Sequence, residues 1–186
     1  AQLFSASSFS GVTTAALAKA AGVTEPVLYQ HFDSKDKLYY EVLRDGCRRT
    51  LEEWRQIAAT ADTALGGVIQ IARAQFRMMS ELWVYYKLHV RAIAEASDSR
   101  VAQILCENYE QYHAFLMAQL QRAQDAKEMR AEVNVSDVAW FMLSQGLMFN
   151  VCRQIGLRKL EETGYLDSLI RSTMSGLSVG VAPKVG

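Results

Sequence analysis

Chain breakers are scarce in this 186-residue sequence, which has two prolines, Pro26 and Pro183, and only eleven glycines. A strand-rich fold needs such residues at its turns, so long uninterrupted helices are favoured instead. Cysteine is equally scarce. Cys47, Cys106 and Cys152 lie far apart and are odd in number, which argues against a disulfide framework or a zinc knuckle and fits a reducing compartment. Buried free thiols and a redox sensor remain as readings of them. Net charge is absent, with 20 Lys+Arg against 20 Asp+Glu. That excludes a chain that coats itself in nucleic acid by bulk charge, but it leaves room for a local basic patch. No run of about 18 uncharged apolar residues occurs, so no bilayer span is expected; no signal-peptide pattern is visible either. Three histidines without paired spacing give no metal site, and neither a glycine-rich phosphate loop nor a paired His–Glu motif appears. No metal or cofactor is expected.

What is present is helical periodicity. Val101, Ile104, Leu105, Asn108, Tyr112, Phe115, Leu116 and Gln119 recur at steps of three and four. So do Val138, Phe141, Met142, Gln145, Met148, Phe149, Cys152 and Ile155, and then Leu166, Leu169, Ile170, Thr173, Met174 and Leu177. These are faces of helices, and no comparable stretch alternates with period two. The fold is read as all-α.

Caps set the boundaries. Thr13 or Thr14 starts a short helix that ends near Gly22, and Thr24 starts the next, with Pro26 tolerated in its first turn. Asp33 or Ser34 caps a third that begins at Lys35 and runs to about Thr60. Further helices are expected near 62–79, 81–95, 98–127, 135–155 and 164–180, with Gly66 and Gly67 weakening the first of these. Lys127 to Asn134 reads as a polar connection. The chain lacks an initiator methionine, and Leu3 and Phe4 look like the last apolar turn of a helix already under way. Its front is expected to be truncated.

The segment from Val12 to Phe32 carries the chemistry. Two short helices meeting at a glycine turn form a helix-turn-helix. Ala16, Leu17, Ala20 and Val23 make a small apolar seam continued by Leu28 and Phe32, leaving Glu25, Pro26, Tyr29, Gln30 and His31 on the outer face. Thr13, Thr14, Leu17, Ala18, Ala21, Gly22, Val23, Leu28, Tyr29, His31, Phe32, Ser34, Lys35 and Leu38 together resemble the N-terminal domain of the TetR family of transcriptional repressors. The motif covers about the first quarter of the chain; beyond residue 45 only length and helical pattern agree. The expected division is therefore a DNA-binding domain at 1–45 and a helical effector-binding and dimerisation domain at 46–186.

The resemblance implies a cytoplasmic homodimer on a pseudo-palindromic operator, its recognition helices about 34–36 Å apart. Thr14, Tyr29, His31 and Lys35 match phosphate-holding positions, and Thr13 and Thr24 at the helix starts join the DNA-binding set. Glu25, Pro26, Val27 and Gln30 lie nearest base edges. Gln30 suits adenine, while Pro26 and Val27 suit a thymine methyl. Glu25 either accepts from cytosine N4 or interacts with its own helix N-terminus. Residues 1–40 hold three lysines against three acids, Lys19, Lys35 and Lys37 against Glu25, Asp33 and Asp36. That segment alone would grip phosphates weakly, and Arg44, Arg48 and Arg49 add charge further on.

The family also implies a small-molecule effector, apolar or aromatic, that releases the protein from its operator. Trp83, Tyr86, His89, Asn108, Tyr112, Phe115, Phe141, Gln145 and Phe149 are the candidate lining, a mostly aromatic set with a few polar interruptions. The plainer reading of such stripes is hydrophobic core. Met142, Gly146, Leu166, Leu169, Ile170, Thr173, Met174 and Leu177 are the candidate dimer interface, at roughly 20° crossings; the alternative is that they complete the monomer's core. Gly176-Leu177-Ser178-Val179-Gly180 matches the serine-hydrolase pattern, but in a helical stretch with every histidine before it, so no enzyme is expected. A helical adaptor that does not bind DNA is the remaining alternative.

Overall fold

Nine α-helices and one isolated bridge pair account for the regular structure among the described residues of the computed structural model. These are residues 1–97, 99–157 and 164–179, without the side chains of Phe76, residues 78–81, Ser99 and Leu166. The helices are α1 (Gln2–Ala6), α2 (Thr14–Ala21), α3 (Glu25–His31), α4 (Lys35–Thr60), α5 (Ala64–Glu81), α6 (Trp83–Ala94), α7 (Ser99–Asp125), α8 (Val135–Gln154) and α9 (Tyr165–Ser175). Each expected helix is found within a few residues of its expected ends, apart from α9, which stops at Ser175 instead of 180.

Local chemistry explains the stops and starts. Thr13 caps α2 by accepting from the Ala16 N–H, and Gly22 closes it in the left-handed region at φ 71°, where a Cβ would be strained. Ser34 caps α4 through the Lys37 N–H, Thr63 caps α5 through the Gly66 N–H, and Asn134 caps α8 through Ser136 and Asp137.

The chain packs as two units, one formed by Ala1–Arg48 with Leu82–Asn108 and the other by Arg49–Glu81 with Tyr109–Gly186. The first unit thus takes in α6 and the start of α7, stretches the sequence had placed with the larger domain. In it α1 packs on α6 and α2 on α3, around Phe4, Val12, Leu17, Leu28, Tyr39, Leu88 and Ile104. In the second, α5 packs against both α8 and α9. Ile71, Leu116 and Leu120 are fully buried there, each side chain contributing about 1.5–3 kcal/mol.

Two expectations change here. The Lys127–Asn134 connection is tightly tied, not merely polar. Met129 is buried and pairs with Ser178, Arg130 N–H donates to Leu177 O, and the Gln124 amide donates to Arg130 O and Val133 O. The Arg130 guanidinium also donates to Gly176 O. Ser178 therefore stands buried in a bridge after the last helical turn, not within a helix. Gly180 of the same pattern lies outside the described residues.

Candidate functional site

The α2–α3 pair has the geometry of a reading head. Leu28 is the one fully buried side chain of α3 and anchors it, while Thr24, Pro26, Tyr29, Gln30 and His31 are exposed, Tyr29 by 47%. Val27 is half-buried. Had Tyr29, Gln30 and His31 been packed inward, no docking surface would exist. They point to solvent, carrying a phenol, an amide and an imidazole able to meet phosphates and base edges.

Four of the expected contact residues, Thr13, Thr14, Glu25 and Lys35, are engaged inside the unit. Lys35, assigned to the phosphate backbone, instead donates its ammonium to Phe9 O and Val12 O, 3.0 Å each, and lies 4.2 Å from the Phe9 ring centroid. It ties the α1–α2 connection to the start of α4. Thr14 donates to Glu25 Oε2 at 2.5 Å, a charge-assisted bond that joins α2 to α3. Glu25 is therefore held as an acceptor by Thr14 as well as standing in the first turn of its own helix. Thr13 serves as a cap. The arginines expected to add charge are also answered. Arg44 pairs with Glu41 and Glu107, and Arg48 with Asp45 and Glu41.

The candidate pocket residues divide between the units. Trp83, Tyr86, His89 and Asn108 belong to the first, and Tyr112, Phe115, Phe141, Gln145 and Phe149 to the second. Asn108 is buried and serves the core. Its amide donates to Leu43 O at 3.3 Å, and its carbonyl lies 3.9 Å from the Cys47 sulfur. Burial pushes the His89 imidazole down to about 4, so it is neutral near pH 7. Phe141 is 45% exposed and leaves the lining set. Sequence reasoning missed Trp54. It is fully buried, its ring centroid lies 5.4 Å from that of Tyr112 and 5.9 Å from that of Phe115, and its indole N–H has no acceptor among the described residues. The only sequence signal was a tryptophan amid the charged run Arg48 to Arg55. His113 is satisfied by Ser136 and stacks on Trp140.

The candidate dimer residues are also redistributed. Met142, Gly146, Ile170 and Met174 are buried in the chain's own second unit, and Leu169, Thr173 and Leu177 are half-buried. The Leu166 side chain lies outside the described set. Gly146 is small for a local reason, since a Cβ there would meet the Gln75 amide nitrogen at 2.6 Å. The solvent face of α8 carries a different row, Trp140, Phe141, Met148, Val151 and Ile155, with Met148 58% and Ile155 73% exposed. Cys47 and Cys152 are buried, and Cys106 is exposed. Among the described residues no cluster of His, Cys, Asp or Glu could hold a metal, and no helix is long and apolar enough to cross a membrane.

These features define an all-helical protein with an N-terminal helix-turn-helix. Residues 1–42 match the family described as "Bacterial regulatory proteins, tetR family", so the resemblance seen in the sequence is matched over the helix-turn-helix segment. The chain's fold is shared with GusR of Salmonella enterica (22% identity, TM-score 0.78, covering 94% of this chain and 88% of that one). It is also similar to the ketosteroid transcriptional regulator KstR2 of Mycobacterium tuberculosis (18%, 0.65, 95% and 90%). A regulator from Saccharomonospora viridis in complex with choline is a third likeness (12%, 0.79, 96% and 93%). No curated protein matches the chain. At these identities the shared property is the fold.

Proposed function

We propose that this protein is a dimeric transcriptional regulator, a repressor that leaves its operator when a small apolar or aromatic molecule binds. The observation that carries the reading is the outward presentation of Tyr29, Gln30 and His31 on an α3 anchored by Leu28, within the 42 residues that match the family. Gln30, Pro26 and Val27 face base edges in this reading, and Tyr29, His31 and Thr24 face the backbone.

The apolar row on α8 supports the homodimer. A monomer seldom leaves large apolar side chains contiguous in water, and a two-fold partner would cover the same row on its mate. The effector reading is supported by Trp54, Tyr112 and Phe115. An aromatic cluster containing a buried N–H without an acceptor among the described residues offers a ligand apolar walls and one donor. The similar structures include a ketosteroid regulator and a choline complex, so the fold accommodates unlike ligands and does not name this chain's. Release requires the effector to favour one arrangement of the two reading heads, because both must match one groove spacing.

Selection from a random duplex library in the presence of heparin tests the DNA reading. The expected product is a pseudo-palindrome with half-sites about 10–10.5 base pairs apart, or a multiple of that, lost on Gln30→Ala. Failure to enrich any duplex would leave the helical adaptor as the better account.

A further inference from the structure

The first unit contains a cleft of about 240 Å³ to which Phe9, Asp36, Tyr39, Tyr40, Glu95 and Val101 contribute. It lies wholly within that unit and is separate from the Trp54 cluster, which belongs to the other. Its volume is below the roughly 300 Å³ at which drug-sized sites begin, so its occupant is small. The chemistry of the wall is specific. Three aromatic side chains and two carboxylates meet there, and among the described residues no lysine or arginine lines the cleft.

Each group has a defined state. Glu95 Oε2 accepts from the Tyr39 hydroxyl at 2.9 Å, and Oε1 accepts from the Phe9 N–H at 3.4 Å. A carboxylate offers about four acceptor directions, so Glu95 has capacity left after holding both. Burial and that hydrogen bond push the Tyr39 phenol well above its ordinary range, which keeps it a neutral donor. Asp36 is exposed in the first turn of α4 and has no partner among the described residues. Lys35 is occupied by two carbonyls and the Phe9 ring, and Arg91 acts on Tyr39 from outside the lining.

With the Phe9 ring already taken by Lys35, the tyrosine rings beside the two carboxylates suit an alkylammonium group, which is weakly hydrated and attracted to aromatic rings. We propose that this cleft binds a small organic cation, at a site separate from any effector held in the second unit. Because Glu95 also holds Phe9 and Tyr39, an occupant would bear directly on the ties between the end of α6, the α1–α2 connection and α4. The binding itself does not depend on the protein's reading of DNA.

Tetramethylammonium chloride, titrated into the full chain at constant ionic strength and followed by ¹H–¹⁵N NMR, tests this. Sodium chloride and tert-butanol, a neutral analogue of similar size, serve as the comparison arms. Saturable shifts confined to Phe9, Asp36–Tyr40 and Glu95, with tetramethylammonium alone, are expected. The exposed change Asp36→Asn should leave the melting temperature unchanged and weaken binding about fivefold, as loss of one partly screened charge predicts. Glu95→Gln should weaken it at least as much. Absence of saturation, equal response to sodium or tert-butanol, or an affinity indifferent to Asp36→Asn would each overturn the site.

Discussion

α3 and α8 both hold large side chains out to water, but of opposite kinds. α3 offers Tyr29, Gln30 and His31, each with a donor or an acceptor, whereas α8 offers Trp140, Phe141, Met148, Val151 and Ile155. A polar row can meet a partner whose groups are fixed in water, such as a groove. An apolar row gains only by being covered. α8 is also apolar on its inner side, where Val138, Met142, Leu143 and Phe149 are buried. The sharpest way to break the comparison is to put the same charge on each side of α8. Met142→Glu should destabilise the fold by at least the 2–5 kcal/mol typical of losing a buried methionine. Ile155→Glu should leave the melting of the monomer nearly unchanged but weaken self-association by tenfold or more, since it buries a charge at the interface. Sedimentation and thermal melts on both variants decide. If Ile155→Glu is as dimeric as the parent, the outer row is not the interface.

The two faces also show where sequence reading stopped. The period along α8 was plain, yet a helix apolar on both sides does not say which side turns inward. Met142 and Gly146 were therefore read as interface when they complete the core, and Phe141 was read as lining when it faces out. On α3 the reading went further, because Leu28 and the half-buried Val27 lie beside exposed Tyr29, Gln30 and His31, which leaves one way to pack. Caps were legible for a similar reason: Thr13, Gly22 and Ser34 act through the chain beside them. The internal ties of Lys35 are not legible in the sequence because its partners, the carbonyls of Phe9 and Val12, have no side-chain signature 23 or more residues away. Trp54 was missed because its ring partners come from α7.

His89 offers a test confined to the first unit. An unfolded histidine titrates near 6.5, and in the folded chain His89 does so at about 4. Between these values only the unfolded chain takes up the proton. The contribution is therefore whole above pH 6.5 and declines as pH falls toward 4, by about 3 kcal/mol at most. Denaturant melts between pH 7 and pH 4 should show that decline, and His89→Gln should flatten it. An unchanged slope in the variant would assign the loss to other groups.

A smaller contrast separates holding the head together from using it. Lys35→Met should lower stability by about 1–3 kcal/mol, through two lost hydrogen bonds and a lost ring contact. Gln30→Ala should leave stability within about 0.5 kcal/mol, as surface changes do. It should cost operator affinity about tenfold and relax preference at one base pair. If Lys35→Met leaves the melt untouched but abolishes phosphate grip, the assignment of the two residues is reversed.

The smallest expected effect concerns Glu25. Its bond from Thr14 is short and charge-assisted, so Thr14→Val should cost about 1–2 kcal/mol of stability without adding any base preference. Glu25→Gln keeps an acceptor for the same hydroxyl and removes the negative charge beside phosphates. It should therefore strengthen binding to all duplexes alike and steepen the salt dependence slightly, because a repulsion that salt had screened is gone. A glutamate that reads cytosine behaves differently, because its loss alters preference at one position and leaves the others as they were. Comparing selected half-sites for the parent and Glu25→Gln separates the two. A uniform gain keeps Glu25 as the clasp between α2 and α3, and a change at a single cytosine makes it a reader.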